Sequence, residues 1–367
     1  MKLEGRNIVI VSNEPWGDIW YSKHNWAYEL SRKNKIIFVN PPTNWKPSNF
    51  FNRKINSVEI TANLSVISYR NKYPSAVKSD FFFRLNEESI QSRLKKYFSS
   101  IQFSDFIFWS FDPLRLTDPK SFGATYSLFH CVDDYKKEYL SLCSNVNSLI
   151  LVSRDFEKKL CRYGKDMHII PHGISEDEFV ADPPELYKHD LPSMQYGLYV
   201  GNLDPFRIDY ALIEQMLIKF PDIPFVFVGR QTFNASHPLP AKLFLEKKYP
   251  NLIYIPPVHF KQLKNYISNA RFCIAPMVTD LYWNVINHHK ILQYLAMGKP
   301  VFTPVLNDYD STSDKLYMYK KSSDATTLLE NYLKNGEEEI FAKKRISFAH
   351  EHTYGNFISK LENLLTP

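Results

Sequence analysis

The chain lacks the marks of several common chemistries. Its four cysteines, Cys131, Cys143, Cys161 and Cys273, form no CxxC pair and no metal-ligand spacing. That excludes a zinc module and a disulfide scaffold, and reads as free thiols in a reducing compartment. No apolar run approaches the roughly 20 residues that a membrane-spanning helix needs. Neither a glycine-rich dinucleotide fingerprint nor a P-loop is present, and no internal repeat or low-complexity tract appears. No nucleic-acid-binding motif is found, so nucleic acid is not an expected partner. The first residues run straight into a strand pattern instead of a secretory signal, and the expected location is cytoplasmic.

What is there describes a globular protein of two domains. A chain of 367 residues is long for one core. Aromatics make up 15%, enough for carbohydrate stacking or a membrane-facing surface as well as for cores. The net charge of +6 is uneven. Residues 1–175 carry 25 Lys and Arg against 17 Asp and Glu, or +8, whereas residues 176–367 carry 20 against 22, or −2. A basic first half points to an anionic neighbour, either acidic lipid head groups or an anionic acceptor.

Short β-branched runs alternating with helical patterns predict parallel sheets. Strands are predicted at 7–12, 36–40, 106–110, 126–132 and 148–153, with candidates near 58–60 and 64–68, helices at 22–33, 79–100, 136–143 and 154–163, and a short strand at 168–171. The helix over 79–98 sets Phe beside Arg and Lys, which suits a membrane surface or packing on its own sheet. The acidic, proline-rich stretch 175–195 reads as a linker. Beyond it come strands at 196–201, 225–230, 251–255, 272–276 and 301–303, and helices at 208–220, 260–270, 290–297, 326–333 and 337–365.

Ligands of such sheets sit at the carboxyl ends of strands. This singles out the loop 13–18 with Asp18, the helix start at His24, and Asp133 with Asp134 just past the strand at 126–132. The two aspartates serve equally as caps of the next helix, whereas His130 reads as a buried strand residue. The stretch Asn284–Val301 carries the strongest signal. Two asparagines, His288, His289 and Lys290 crowd the start of a helix that Gly298 ends, with Pro300 after it. A helix N-terminus with an added lysine reads as an anion site, most naturally for a diphosphate, or as a solvated polar loop before an ordinary amphipathic helix.

These segments resemble a known family. Asn269–Pro276, His289–Tyr294 and Gly298–Val301 resemble the donor-binding segment of GT-B glycosyltransferases. His172–Ile174 is similar to the turn that ends their first domain, and Val200–Gly201 with Arg207–Asp209 to their glycine turn and diphosphate-contacting basic residue. The resemblance implies an α/β GT-B fold, with two doubly wound Rossmann-like domains facing a cleft. The expected bounds are 1–175 for an acceptor-binding domain, 176–345 for a nucleotide-sugar-binding domain, and 346–367 for a C-terminal helix returning to the first. Retaining family 4 enzymes carry a Glu-x7-Glu motif where this chain has Val285 and Gln293. The Lys290–Tyr294 pattern is closer to bacterial exopolysaccharide glucuronosyltransferases, which invert. Val11–Trp16 and the Val132–Asp134 tract also resemble teichuronic-acid-type enzymes.

The resemblance implies an enzyme that moves a sugar from a UDP-linked donor to a glycan or a lipid-diphosphate-linked acceptor, in bacterial surface polysaccharide synthesis. No metal and no cofactor beyond the donor are expected. Lys290, Arg207 and Gly201 would face the diphosphate and Gln293 the nucleotide, with Gly229 and Arg230 shaping the nucleoside pocket. Tyr282, Asn287 and His289 complete the donor set. Asp133 would be the base, with His24 or Asp18 in its place. Peripheral contact with an anionic membrane at the inner face of the cell membrane is expected from the charge. A non-catalytic nucleotide-sugar-binding protein and a UDP-sugar epimerase of the same fold are the alternatives.

Overall fold

The computed structural model describes residues 1–43, 46–47, 54–74, 80–133, 135, 140–183, 194–279, 289–307, 309 and 314–365. The chain divides into two compact units, Met1–Pro171 with Tyr354–Pro367, and His172–Thr353.

Among the described residues the first unit has eight strands: β1 (Asn7–Val11), β2 (Lys35–Val39), β3 (Asn56–Thr61), β4 (Leu64–Ser68), β5 (Phe106–Ser110), β6 (Ala124–Cys131), β7 (Ser148–Leu151) and β8 (Asp166–Ile169). Their spatial order is β3-β4-β2-β1-β5-β6-β7-β8. Every pairing is parallel except β3 with β4. The sequence explains the layout. Ile8–Val11 is fully buried, as a central parallel strand covered on both faces requires. β3 is exposed along almost its whole length, and takes the edge. The order reverses between β1 and β5, so the crevice of this sheet lies at their carboxyl ends.

The second unit carries β9 (Tyr196–Val200), β10 (Phe225–Val228), β11 (Leu252–Ile255), β12 (Ala270–Ile274), β13 (Val301–Pro304) and β14 (Tyr317–Tyr319). They are ordered β11-β10-β9-β12-β13-β14 and all parallel. Here the switch point lies between β9 and β12.

The helices of the first unit are α1 (Ser22–Ser31), α2 (Asp80–Ser100), α3 (Leu140–Asn145) and α4 (Glu157–Leu160). Those of the second are α5 (Tyr210–Lys219), α6 (Pro238–Phe244), α7 (Leu263–Asn269), α8 (His289–Ala296), α9 (Ser322–Asn335) and α10 (Glu339–Glu351). The final helix, α11 (Tyr354–Leu364), belongs to the first unit. Its Tyr354 ring lies 5.2 Å from Trp26 of α1, and Glu362 accepts from the Leu3 amide at 2.6 Å.

Three sequence boundaries need correction. The division falls at 171/172, not 175/176. Ile174 is fully buried in the second unit's core and its amide donates to the His352 carbonyl at 3.0 Å, so the His172–Ile174 turn already belongs to that unit. The helix predicted over 337–365 is two helices, broken at His352–Thr353. The return to the first unit therefore begins at Tyr354, not at 346. α10 stays in the second unit because Arg345 is fully buried there. It donates to Glu337 through Nη1 at 2.6 Å and Nη2 at 2.5 Å, and to the Gly298 carbonyl at 3.0 Å. β14 and α6 had no sequence signal strong enough to be predicted. All four cysteines are free.

Candidate active site

The second unit concentrates its chemistry at the carboxyl ends of β9 and β10. β9 is followed by Gly201 and β10 by Gly229, with φ of +146° and +151°. Both values lie where side chains are disfavoured. The two backbones touch: a Cβ on Gly229 would stand 2.0 Å from the Gly201 carbonyl oxygen, a distance no side chain can take. A Cβ on Gly201 would stand 2.6 Å from the Lys290 Nζ and 2.9 Å from the Tyr199 hydroxyl. Gly201 thus lies against the Gly229 backbone and the Lys290 ammonium at the carboxyl ends of the two strands.

Lys290 comes from the first turn of α8. Its Nζ donates to the Tyr199 hydroxyl at 3.1 Å and lies 4.5 Å from the centre of that ring. The same hydroxyl donates to the Asn202 carbonyl at 3.0 Å. Burial lowers the Lys290 pKa to about 8, and the like charge of Arg207 adds to the effect. One turn further along α8, the Tyr294 hydroxyl accepts from the Val200 amide at 2.8 Å. That amide belongs to the last residue of β9, and the pairing of β12 with β9 ends before it, at Leu198. A single helix therefore pins the end of β9 and delivers the cation beside it. α8 buries Ile291, Leu292, Leu295 and Ala296 as the sequence pattern requires.

Gln293 turns elsewhere. Its Nε2 donates to Glu178 Oε2 at 2.5 Å. Glu178 is held in turn by a capping box, its Oε1 accepting from the Ser175 amide at 3.2 Å. Arg207 is exposed on the loop after β9, where its Nε lies 3.9 Å from Asp204. This loop is clamped to the end of β12: the Asp209 amide donates to the Pro276 carbonyl at 2.8 Å, and the Val278 amide to the Arg207 carbonyl at 3.0 Å. Asp209 caps α5. Arg230 is exposed at the end of β10. The His289 ring lies 6.2 Å from His172, and its Nε2 is buried with no hydrogen-bond partner among the described residues. Tyr282 and Asn287 lie outside the described residues.

In the first unit, Asp133 is exposed on the bend just past β6. Nearby, Lys23 is 4% exposed and donates to Asn13 Oδ1 at 2.5 Å, while Asn13 Nδ2 donates to the Tyr135 hydroxyl at 2.7 Å. Burial lowers the Lys23 pKa, and the charges of Glu14, Asp133 and Asp112 oppose that shift. His24 is not an available base. It is fully buried, its Nδ1 accepts from the Tyr21 amide at 3.0 Å and its Nε2 donates to the Pro15 carbonyl at 3.1 Å. Burial pushes its pKa down to about 4. Trp16 and Phe38 enclose it at 5.4 and 5.2 Å. Asp18 is exposed and makes no hydrogen bond or ion pair among the described residues. His130 is a fully buried strand residue that accepts from the Trp109 indole at 3.4 Å.

Sequence reasoning missed Tyr199, Tyr294, Glu178 and Lys23. Two signals were present: tyrosines at otherwise apolar positions, whose hydroxyls need partners when buried, and the Ser-x-x-Glu pattern of residues 175–178. Among the described residues no group of three His, Cys, Asp or Glu is placed to hold a metal ion, and no helix is long and apolar enough to cross a membrane.

No family model matches the chain. Over 172 residues it is 26% identical to TuaH of Bacillus subtilis (strain 168), a protein described as a teichuronic acid biosynthesis glycosyltransferase. The match takes in 46% of this chain and 41% of TuaH, so the chain spans less than half the length of that relative. Solved structures match over nearly the whole chain. Sucrose-phosphate synthase from Thermosynechococcus elongatus superposes with a TM-score of 0.68 at 12% identity, covering 98% of both chains. Anabaena HepE in complex with UDP and glucose gives 0.69 at 10%, covering 97% of this chain and 98% of its own. The catalytic domain of starch synthase IV from Arabidopsis thaliana, bound to ADP and acarbose, gives 0.67 at 11%, covering 98% of each. At such identities the likeness speaks to architecture, and the chain has the GT-B fold of the nucleotide-sugar glycosyltransferases.

Proposed function

We propose that this chain is a glycosyltransferase that moves a sugar from a UDP-linked donor to a glycan or lipid-diphosphate-linked acceptor in bacterial surface polysaccharide synthesis. The observation that carries the reading is the ammonium of Lys290 against the backbone of Gly201 at the carboxyl end of β9. A diphosphate suits a cation so placed, and the leaving nucleotide needs its negative charge stabilised as the glycosidic bond breaks. Lys290 and Arg207 supply that charge, a task divalent cations perform in other transferases, so the transfer is proposed to be metal-independent. UDP and glucose in the HepE structure and ADP in the starch synthase structure are in keeping with such a donor.

The acceptor is assigned to the first unit. Asp133, exposed at the carboxyl end of β6, takes the proton from the attacking hydroxyl. That role belongs to an inverting transfer, which the absence of carboxylates at Val285 and Gln293 favours. The basic first half suits a phosphate-bearing acceptor at an anionic membrane surface, and exposed Phe81 and Phe83 on α2 give that surface an apolar contact.

Incubation of the protein with UDP-sugars and a membrane-lipid extract tests the reading. The expected result is UDP release and a glycosylated lipid or glycan by mass spectrometry, with Asp133→Asn slower by roughly 100- to 10,000-fold. Conversion of free UDP-sugar without acceptor would make the protein an epimerase. Binding with no turnover would make it a nucleotide-sugar-binding protein.

A further inference from the structure

We infer that Glu178 is a positioning residue that sets Gln293 to accept a hydrogen bond from a hydroxyl group of the donor. This rests on the donor-site reading above.

A glutamine side chain offers a donating nitrogen and an accepting oxygen of nearly equal shape, and its neighbours decide which faces where. A carboxylate accepts and does not donate, so Glu178 draws the Gln293 nitrogen, at 2.5 Å. The Gln293 oxygen is thereby turned away from Glu178, and no donor among the described residues reaches it. Glu178 cannot easily swing aside, because its other oxygen is tied to the Ser175 amide within a single helical turn. The pair therefore presents one fixed acceptor from α8.

Its place on the helix indicates what it meets. Gln293 follows Lys290 by three residues, so the two project from one helix face about 5–6 Å apart. A diphosphate held at Lys290 has hydroxyl-bearing sugars at that reach on either side: the ribose on one, the transferred hexose on the other. Both offer hydroxyl donors to an acceptor-only partner, and a site built to bond a hydroxyl rejects an analogue that lacks it.

The test measures affinities for UDP, 2′-deoxy-UDP, 3′-deoxy-UDP and UDP-glucose by titration calorimetry, for the wild type, Glu178→Gln, and the exchanged pair Glu178→Gln/Gln293→Glu. With an amide at 178, the Gln293 side chain is free to flip. Glu178→Gln is expected to weaken UDP roughly five- to tenfold and to leave unchanged the deoxynucleotide missing the contacted hydroxyl. If the hexose is the source, the loss falls on UDP-glucose and spares UDP. The exchanged pair restores the arrangement with its partners swapped, and is expected to recover affinity to within about twofold of wild type. Equal affinity of Glu178→Gln and wild type for every ligand would overturn the inference. So would an equal loss across UDP and both deoxynucleotides that the exchange does not rescue, since that is the pattern of a structural role. A wild type that binds none of the four would overturn the donor-site reading itself, and the inference with it.

Discussion

The Lys290 ammonium is held 3.1 Å from the Tyr199 hydroxyl and over the face of the same ring, 4.5 Å from its centre. One tyrosine therefore fixes the cation twice, through an oxygen lone pair and through the ring's negative face. Tyr199→Phe keeps the ring and removes the hydroxyl. Donor affinity is expected to fall roughly tenfold with little change in thermal stability, as read by calorimetric titration with UDP and a melting curve.

Lys290 also sets a pH dependence. In the folded, unliganded protein its pKa is about 8, well below its ordinary value of 10.5, chiefly through burial. Below pH 8 the ammonium is charged and binds an anion; above it the charge is lost. UDP affinity is expected to decline above about pH 8, with a slope approaching one proton, and Lys290→Met is expected to bind weakly and without that dependence. Stability follows a different course. Between pH 8 and 10.5 the unfolded chain holds a proton that the folded chain has released, so the unliganded protein is expected to gain stability as pH rises through that window.

Gly229 and Gly201 should fail in different ways. At Gly229 a methyl group meets the Gly201 carbonyl oxygen at 2.0 Å, which is backbone and cannot move aside. Gly229→Ala is expected to destabilise the second unit by about 3 kcal/mol or more. At Gly201 the obstacle is the flexible end of Lys290. Gly201→Ala still carries a positive φ and its strain of about 1–3 kcal/mol, but its larger effect is to displace the cation. Urea unfolding and UDP titration, measured on both variants, separate the two outcomes.

His24 predicts an acid limb in the stability of the first unit. Its folded pKa of about 4 lies below the unfolded 6.5 because burial opposes the charge. As pH falls below 6.5 the unfolded chain takes up a proton that the folded chain refuses. Stability is expected to decline from pH 6.5 toward pH 4, by at most about 3 kcal/mol, and then level off. His24→Asn is expected to be less stable at pH 7 but to lose less on acidification, as measured by urea unfolding at pH 7 and pH 4.5.

Much of this architecture was legible before the structure. The runs at 8–11, 106–109 and 225–228 are apolar throughout, which only a strand buried on both faces tolerates. The start of α8 was readable because a polar, cationic entry into an amphipathic helix has a physical use. The break at His352–Thr353 was not legible, since Glu339–Leu364 keeps a helical pattern across it and only the change of partner core imposes the break. His24 was misread for a related reason. A histidine at the start of a helix, past the carboxyl end of a strand, suits a base, and nothing local discloses that Trp16, Phe38, Tyr21 and Pro15 enclose it. The Gln293–Glu178 pair spans 115 residues, beyond the reach of any local pattern.

The central claim is that the second unit binds a nucleoside diphosphate through Lys290. Its most direct test is the dissociation constant of UDP for the wild type and for Lys290→Met at pH 7, with both proteins shown to be folded by circular dichroism. The account predicts binding by the wild type and a loss of roughly ten- to a hundredfold in the variant. Equal affinity of the two proteins, or no binding by the wild type, would contradict it.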